Sequence, residues 1–197
     1  MDKVRAFLAV DFAAFFEKPL IFLIQELQRE YSDVKWVRPE ATHVTLHFFG
    51  EIDKKMIPEI IGTVEPLIRS RSPFELGIQG IGAFPGFSRP NVLWAGLSGD
   101  TQALIDIKHA IDSGLEKIGI PSEKREYHPH LTLGRIRSAP WDRRHDSTRL
   151  PDAASHFTSA ENFNVERLTL FQSNLEKEGP VYAPLHAFNF LSVASSQ

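Results

Sequence analysis

The stretches HVTL at residues 43–46 and HLTL at residues 130–133 decide the fold of this chain. Each places a histidine and a threonine two positions apart within an apolar run that is typical of a β-strand. Successive side chains of a strand point to opposite faces, so the histidine and threonine of each stretch project together, roughly 7 Å apart. Two such strands side by side would bring two imidazoles and two hydroxyls to one cleft. One histidine could then give a proton and the other take one during chemistry on a phosphate ester.

The two stretches together are more informative than either alone. The chain has eight histidines, and a half-buried strand histidine bonded to a neighbour would explain a single His-x-Thr. Two of them, each followed by leucine, should arise by chance in on the order of one in a thousand chains of this composition. The pair therefore favours a shared catalytic site.

Similarity of pattern extends beyond the two stretches. His130 lies 87 positions after His43, and at this offset the apolar run 4–10 falls on the apolar run 91–97. Segments with one apolar helical face follow each run, at about 15–31 and about 101–118. The spacing predicts duplicated strand–helix–HxTL units at about 4–50 and 91–135.

These units predict an α+β fold. We expect one bilobal domain over residues 1–197, with two pseudo-symmetric lobes and the active-site cleft between them. Each lobe would be an antiparallel β-sheet with helices on its outer face, because the connections after the motif strands are short.

The chain resembles the 2H phosphoesterases, and among them the bacterial and archaeal RNA 2′,3′-cyclic phosphodiesterases, formerly described as 2′-5′ RNA ligases. The paired HxTL motifs and their flanking residues carry the resemblance, which covers nearly the whole chain. The segment 138–156 departs from it by being longer and more charged. The similar runs are residues 5–10, 36–50, 82–85, 90–94, 127–135 and 168–173.

The resemblance implies a role for each motif residue. It identifies His43 as the proton donor to the leaving O3′ and His130 as the proton acceptor, so that the product carries a 2′-phosphate. The hydroxyls of Thr45 and Thr132 would hold the non-bridging oxygens with Arg135, which contacts the phosphate in the family. The implied reaction uses no metal and no cofactor, and the resemblance also implies a weak, reversible 2′-5′ RNA ligase activity. The residues themselves do not distinguish the two histidines.

Three residues that follow the motifs are candidate substrate-binding residues. Strict alternation would place Arg135 on the face opposite His130, so a bulge or the end of the strand would have to turn it inward. His47 follows the first motif in phase, which predicts that it faces the same cleft. Phe48 is expected to border the base.

Composition is consistent with a compact enzyme that acts on a local phosphate. The chain has 197 residues with 42% hydrophobic content, enough for one core, and its lack of cysteine excludes disulfides, thiolate zinc sites and a cysteine nucleophile. The net charge of −3 argues against tight binding along a long polyanion. Basic residues nevertheless outnumber acidic ones between residues 124 and 149, around the second motif. The expected partners are therefore RNA ends or short oligonucleotides with a 2′,3′-cyclic phosphate.

The sequence predicts neither a membrane segment nor an obligate protein partner. No run approaches the roughly 20 apolar residues that a membrane span needs. Asp11 interrupts the first apolar run, which favours a strand over a signal peptide. We therefore expect a cytoplasmic protein.

Three other functions remain open from the sequence. The same fold could act on another cyclic phosphate, such as a nucleotide or a tRNA-processing intermediate. A metal-dependent phosphohydrolase could use the pair His145–Asp146, although no set of closely spaced ligands accompanies it. A non-catalytic module could bind RNA ends, but it would not need both complete motifs.

Overall fold

The computed structural model describes residues 2–11, 13–30, 34–38, 41–136, 158, 162–176 and 179–191. The charged segment 138–156, including the pair His145–Asp146, lies outside the described residues. Within them, no helix is both long and apolar enough to cross a membrane.

The described residues form nine β-strands and three α-helices. A strand, a helix and a motif strand follow one another in each half of the chain, and in the first half a three-residue strand precedes the motif strand. In chain order the elements are β1 (Lys3–Asp11), α1 (Ala13–Glu30), β2 (Val34–Trp36), β3 (His43–Asp53), α2 (Ile57–Arg69), β4 (Phe74–Phe84), β5 (Val92–Gly99), α3 (Thr101–Glu116), β6 (His130–Ile136), β7 (Phe163–Val165), β8 (Arg167–Glu176) and β9 (Gly179–Asn189).

The strands form two antiparallel sheets, which confirms the predicted α+β fold. One sheet has the order β3-β1-β8-β9 and the other the order β2-β6-β5-β4-β7. Each motif strand pairs with the strand that opens its half of the chain: β3 pairs with β1, and β6 pairs with β5. The two HxTL stretches therefore have matching neighbours on one side, whereas on the other side β3 is a sheet edge and β6 is covered by β2.

One continuous hydrophobic core holds the sheets and helices together. On each motif strand the residues between and after the histidine and threonine are buried, while the histidine and threonine stay partly exposed. The face of α3 predicted from its 3–4 spacing is also buried, and α3 packs against both α2 and β3. The buried members of α3 and the motif strands are Val44, Leu46, Leu104, Ile107, Ile111, Leu115, Leu131 and Leu133.

A β-bulge interrupts each motif strand at the same point. Thr45 lies opposite Ala9 and His47 lies opposite Leu8, so Leu46 is an extra residue in β3. In β6, Thr132 lies opposite Trp94 and Gly134 lies opposite Leu93, so Leu133 is the extra residue. An extra residue shifts the alternation of a strand by one position. At His47 and Phe48 of β3, before a second irregularity at Phe49, and in β6 beyond Leu133, the alternation is therefore the reverse of the one that the motifs predict.

Candidate active site

A cavity of about 560 Å³ lies between the two sheets, and residues of both motifs line it. His43 and Thr45 enter it from β3, and Thr132 enters it from β6. His130 lies on the same face of β6 as Thr132, and it is near enough to influence the ionisation of His43. The other lining side chains with polar or aromatic groups are Arg5, Phe7, Lys35, Trp36, Arg38, Phe48, Arg135, Ser173 and Tyr182.

The His43 imidazole is fixed by one hydrogen bond and two aromatic rings. Its Nδ1 lies 2.9 Å from the carbonyl oxygen of Ala41. A carbonyl oxygen can only accept, so Nδ1 carries the hydrogen and Nε2 remains for proton exchange. The ring centroid lies 4.7 Å from that of Phe7 and 5.0 Å from that of Tyr182, which meets it edge-on.

His130 is held in the same way from the other sheet. Its Nδ1 lies 2.7 Å from the carbonyl oxygen of His128, again two residues earlier in the chain. Phe84 packs edge-on against the ring at a centroid distance of 5.0 Å, and Trp94 lies 6.0 Å away. Both imidazoles are therefore set in the tautomer that leaves Nε2 free to take or give a proton.

The charges near the two histidines differ. Burial lowers the pKa of His43, the Ala41 carbonyl and the Asp11 carboxylate raise it, and a charge on His130 lowers it. Burial also lowers the pKa of His130, and the carbonyl of His128 raises it, but the charges of His128 and Arg135 lower it. A carboxylate thus favours the protonated form of His43, whereas cations favour the neutral form of His130.

The strand register explains this difference. Asp11 of β1 lies directly opposite His43 of β3. The residue opposite His130 on β5 is Gly96, which has no side chain to carry a charge.

Asp11 and His43 also line a second cavity of about 400 Å³, to which β8 contributes Arg167.

The bulges bring Phe48 and Arg135 to the cavity. Each stands three positions after the motif threonine and is exposed, whereas the two residues before it are buried. Arg135 lines the cavity, in the inward orientation that a bulge was expected to give it. The ring of Phe48 also lines it, and the Arg5 guanidinium lies 4.8 Å from the centroid of that ring.

His47 requires a correction. It is only 2% exposed, and its Nδ1 lies 2.9 Å from Oδ1 of Asp112 on α3. Asp112 also accepts a hydrogen bond from the buried Lys108. The structure therefore places His47 in the interior and not in the cleft, because the bulge at Leu46 reverses the alternation on which the expectation depended.

Several cleft residues were not identified from the sequence. Arg5 alternates with Phe7 on β1, and this spacing could have revealed it. Lys35 and Arg38 belong to a three-residue strand and its extension, which carry no periodic signal. Tyr182 and Asp11 reach the site through pairings between distant strands, which one sequence does not disclose.

No group of three or more histidine, aspartate or glutamate side chains within the described residues is arranged to hold a metal ion. The pair His145–Asp146, named as an alternative metal site, lies outside them.

Comparison with known proteins gives a consistent result. Residues 16–176 match the family model described as the 2′-5′ RNA ligase superfamily. The chain is 32% identical to an RNA 2′,3′-cyclic phosphodiesterase of Methanothermobacter thermautotrophicus, over 94% of this chain and 98% of the relative. It is 29% identical to a protein of the same name from Aquifex aeolicus, over 95% and 98% of the two chains.

Solved structures share the fold. The structure of TT0787 from Thermus thermophilus is similar with a TM-score of 0.78 and 26% identity, over 94% of this chain and 97% of that one. The structure of E. coli LigT complexed with 3′-AMP is similar with a TM-score of 0.72 over 96% and 99% of the chains, at 22% identity. The second likeness concerns the fold alone.

Proposed function

The chain belongs to the 2′-5′ RNA ligase superfamily, and we infer that it is an RNA 2′,3′-cyclic phosphodiesterase, a hydrolase acting on RNA ends. The observation that carries the mechanism is the matched pair of imidazoles beside one cavity. Each of them donates its Nδ1 hydrogen to a backbone carbonyl, which leaves its Nε2 for proton transfer.

We propose that the two histidines act on opposite sides of the cyclic phosphate. His130 takes a proton from water as the water oxygen bonds to phosphorus. The bond between phosphorus and O3′ breaks, and His43 gives its proton to O3′. The product carries a 2′-phosphate and a 3′-hydroxyl, and proton exchange with solvent restores both imidazoles.

The surrounding charges support this division of roles. A donor must be protonated before the reaction; burial lowers the pKa of His43, and the Asp11 carboxylate opposes part of that lowering. An acceptor must be neutral; burial lowers the pKa of His130, and the charges of His128 and Arg135 act in the same direction. The assignment therefore rests on the family, and the neighbouring charges of the two histidines differ in the direction that it requires.

Thr45, Thr132 and Arg135 stabilise the phosphate in this mechanism. Their hydroxyl and guanidinium donors face the cavity, where they can bind the non-bridging oxygens as negative charge develops. Phe48 borders the base. With a 5′-hydroxyl in place of water, the same proton transfers form a 2′-5′ phosphodiester and release O3′ as a hydroxyl, which gives a weak 2′-5′ ligase activity. A cytoplasmic location stays a prediction for microscopy of the tagged protein.

The test is hydrolysis of a short RNA ending in a 2′,3′-cyclic phosphate, with EDTA present. We expect wild type to form the 2′-phosphate, and His43→Ala and His130→Ala each to reduce kcat by roughly 10²–10⁴-fold. His109→Ala is the matched control, because this histidine is exposed on α3.

Each contrary outcome points to a different error. Full activity of either motif variant would refute the two-histidine mechanism. Loss of wild-type activity in EDTA would favour a metal-dependent reaction. Turnover of cyclic mononucleotides without turnover of RNA would favour a different cyclic phosphate substrate, and RNA binding without turnover would favour a non-catalytic module.

A further inference from the structure

The cavity is lined by more positive charge than one terminal phosphate needs. Arg5, Lys35, Arg38 and Arg135 line it, and no aspartate or glutamate of the described residues does. The mechanism above uses only Arg135. The other three cations, on a chain whose net charge is −3, indicate that the cleft accepts a ligand with further negative charge.

Lys35 and Arg135 bring two of these charges close together. They lie directly opposite each other on the neighbouring strands β2 and β6. Like charges in this arrangement are destabilising, and within the described part of the chain neither forms a salt bridge. Local violations of this kind are expected where a ligand supplies the missing charge.

Lys35 and Arg38 stand at an open edge of the site. β2 is the edge strand of its sheet and lies beside the catalytic strand β6. The Val37 N–H donates to the Leu133 carbonyl at 2.8 Å, so the chain stays extended beyond β2 and carries Arg38 onward along the cavity. At about 3.3 Å per residue, Lys35 and Arg38 are roughly 10 Å apart along the backbone.

The opposite wall of this edge is apolar. Leu175 of β8 lines the cavity although it is 73% exposed, and Pro180 of β9 lies near it. The Pro180 carbonyl accepts a hydrogen bond of 3.4 Å from the Arg38 guanidinium, which spans from one sheet to the other. The cations on one side can bind a phosphodiester, and the apolar groups on the other can pack against its base.

We propose that Lys35 and Arg38 form a second phosphate subsite, which binds the phosphodiester next to the cyclic phosphate. The proposal rests on the proposed function and specifies its substrate class. The enzyme then prefers the ends of oligoribonucleotides to cyclic mononucleotides. Arg135 serves the reacting phosphate, and the edge cations serve the chain that precedes it.

The first experiment measures binding without catalysis. Two ligands, 2′-AMP and a trinucleotide that ends in a 2′-phosphate, are titrated into wild type and into the double variant Lys35→Ala/Arg38→Ala. For wild type we expect a Kd at least tenfold lower for the trinucleotide. The double variant should lose this advantage, and the slope of log Kd against log salt for the trinucleotide should fall by about 1.

The second experiment repeats the comparison as kcat/KM, with a cyclic-phosphate trinucleotide and a cyclic mononucleotide. The ratio of the two values should fall from above ten in wild type to near one in the double variant. The matched control is Lys54→Ala/Arg69→Ala, which removes two cations that pair with carboxylates outside the cavity. It should keep the wild-type ratio.

Two results would overturn the subsite. One is a wild type that binds both ligands equally. The other is a double variant in which binding of both ligands weakens by the same factor. If wild type binds the trinucleotide more tightly through these residues but hydrolyses neither substrate, the proposed function fails while the subsite stands.

Discussion

Gly82→Ala should disturb the active site through one aromatic ring. Gly82 of β4 lies opposite Trp94 of β5, and a Cβ at this glycine would stand 2.0 Å from the indole. An ordinary contact needs at least 3.4 Å, so the ring has to retreat by about 1.4 Å in a close-packed interior. Trp94 packs beside His130, and the displaced ring would press on this imidazole.

The expected effects are on both stability and rate. Overpacking costs about 2 kcal/mol, or roughly 4–8 °C in Tm for a chain of this size. A displacement of catalytic geometry by about 1 Å reduces kcat roughly 100-fold. Urea unfolding measures the first effect, and hydrolysis of the cyclic-phosphate RNA at a temperature where the variant is folded measures the second.

The control is Gly62→Ala. This glycine is exposed on α2, and no atom lies within 4 Å of a Cβ placed there. Alanine should stabilise the helix by about 1 kcal/mol and leave kcat unchanged. If Gly82→Ala is less stable but keeps wild-type kcat, the position of Trp94 does not control His130. If neither stability nor kcat changes, the close approach itself is wrong.

Two further predictions concern charged groups. Asp11→Asn removes the charge that raises the pKa of His43, so the donor should lose its proton at lower pH. Hydrolysis should fall at alkaline pH and stay unchanged on the acidic limb, and a pH–rate profile identical to wild type would refute the assigned role. Asp112→Ala leaves the buried Lys108 without its carboxylate partner and should cost about 3–5 kcal/mol in urea unfolding. The control Asp106→Ala removes an exposed hydrogen bond from Gln102 on the same helix and should cost less than about 1 kcal/mol. If the two variants lost the same free energy of unfolding, the buried pair of Lys108 and Asp112 would be contradicted.

The sequence was sufficient for features that depend on local patterns. The paired motifs predicted the fold and the family, and both are confirmed. The apolar spacing of α3 predicted its buried face. Alternation along each HxTL stretch also agrees with the burial of the residues between and after the histidine and threonine.

Features that depend on pairing between distant strands could not be predicted. The bulge at Leu46 follows from the pairing of β3 with β1, and without it His47 was assigned to the cleft. A bulge was foreseen for Arg135 only because the family places an arginine at the phosphate. Asp11 opposite His43 and Lys35 opposite Arg135 are likewise visible only in the register of the sheets.

The matched bulges also bear on how the chain is organised. The units at about 4–50 and 91–135 share their strand pairing, their bulge position and the carbonyl bond of their histidine. We propose that they are repeats of one ancestral unit. Asp11 in one unit and Gly96 in the other would then mark where the copies diverged into donor and acceptor halves.

The buried bonds of Asp112 have a consequence for motion. They join His47 of the strand that carries His43 to Lys108 of α3, which is only 4% exposed. An outward swing of β3 away from α3 would break these bonds and expose Lys108 and His47 to solvent. We therefore expect a cleft of nearly constant width, which an RNA end enters along its open edge without a hinge opening first.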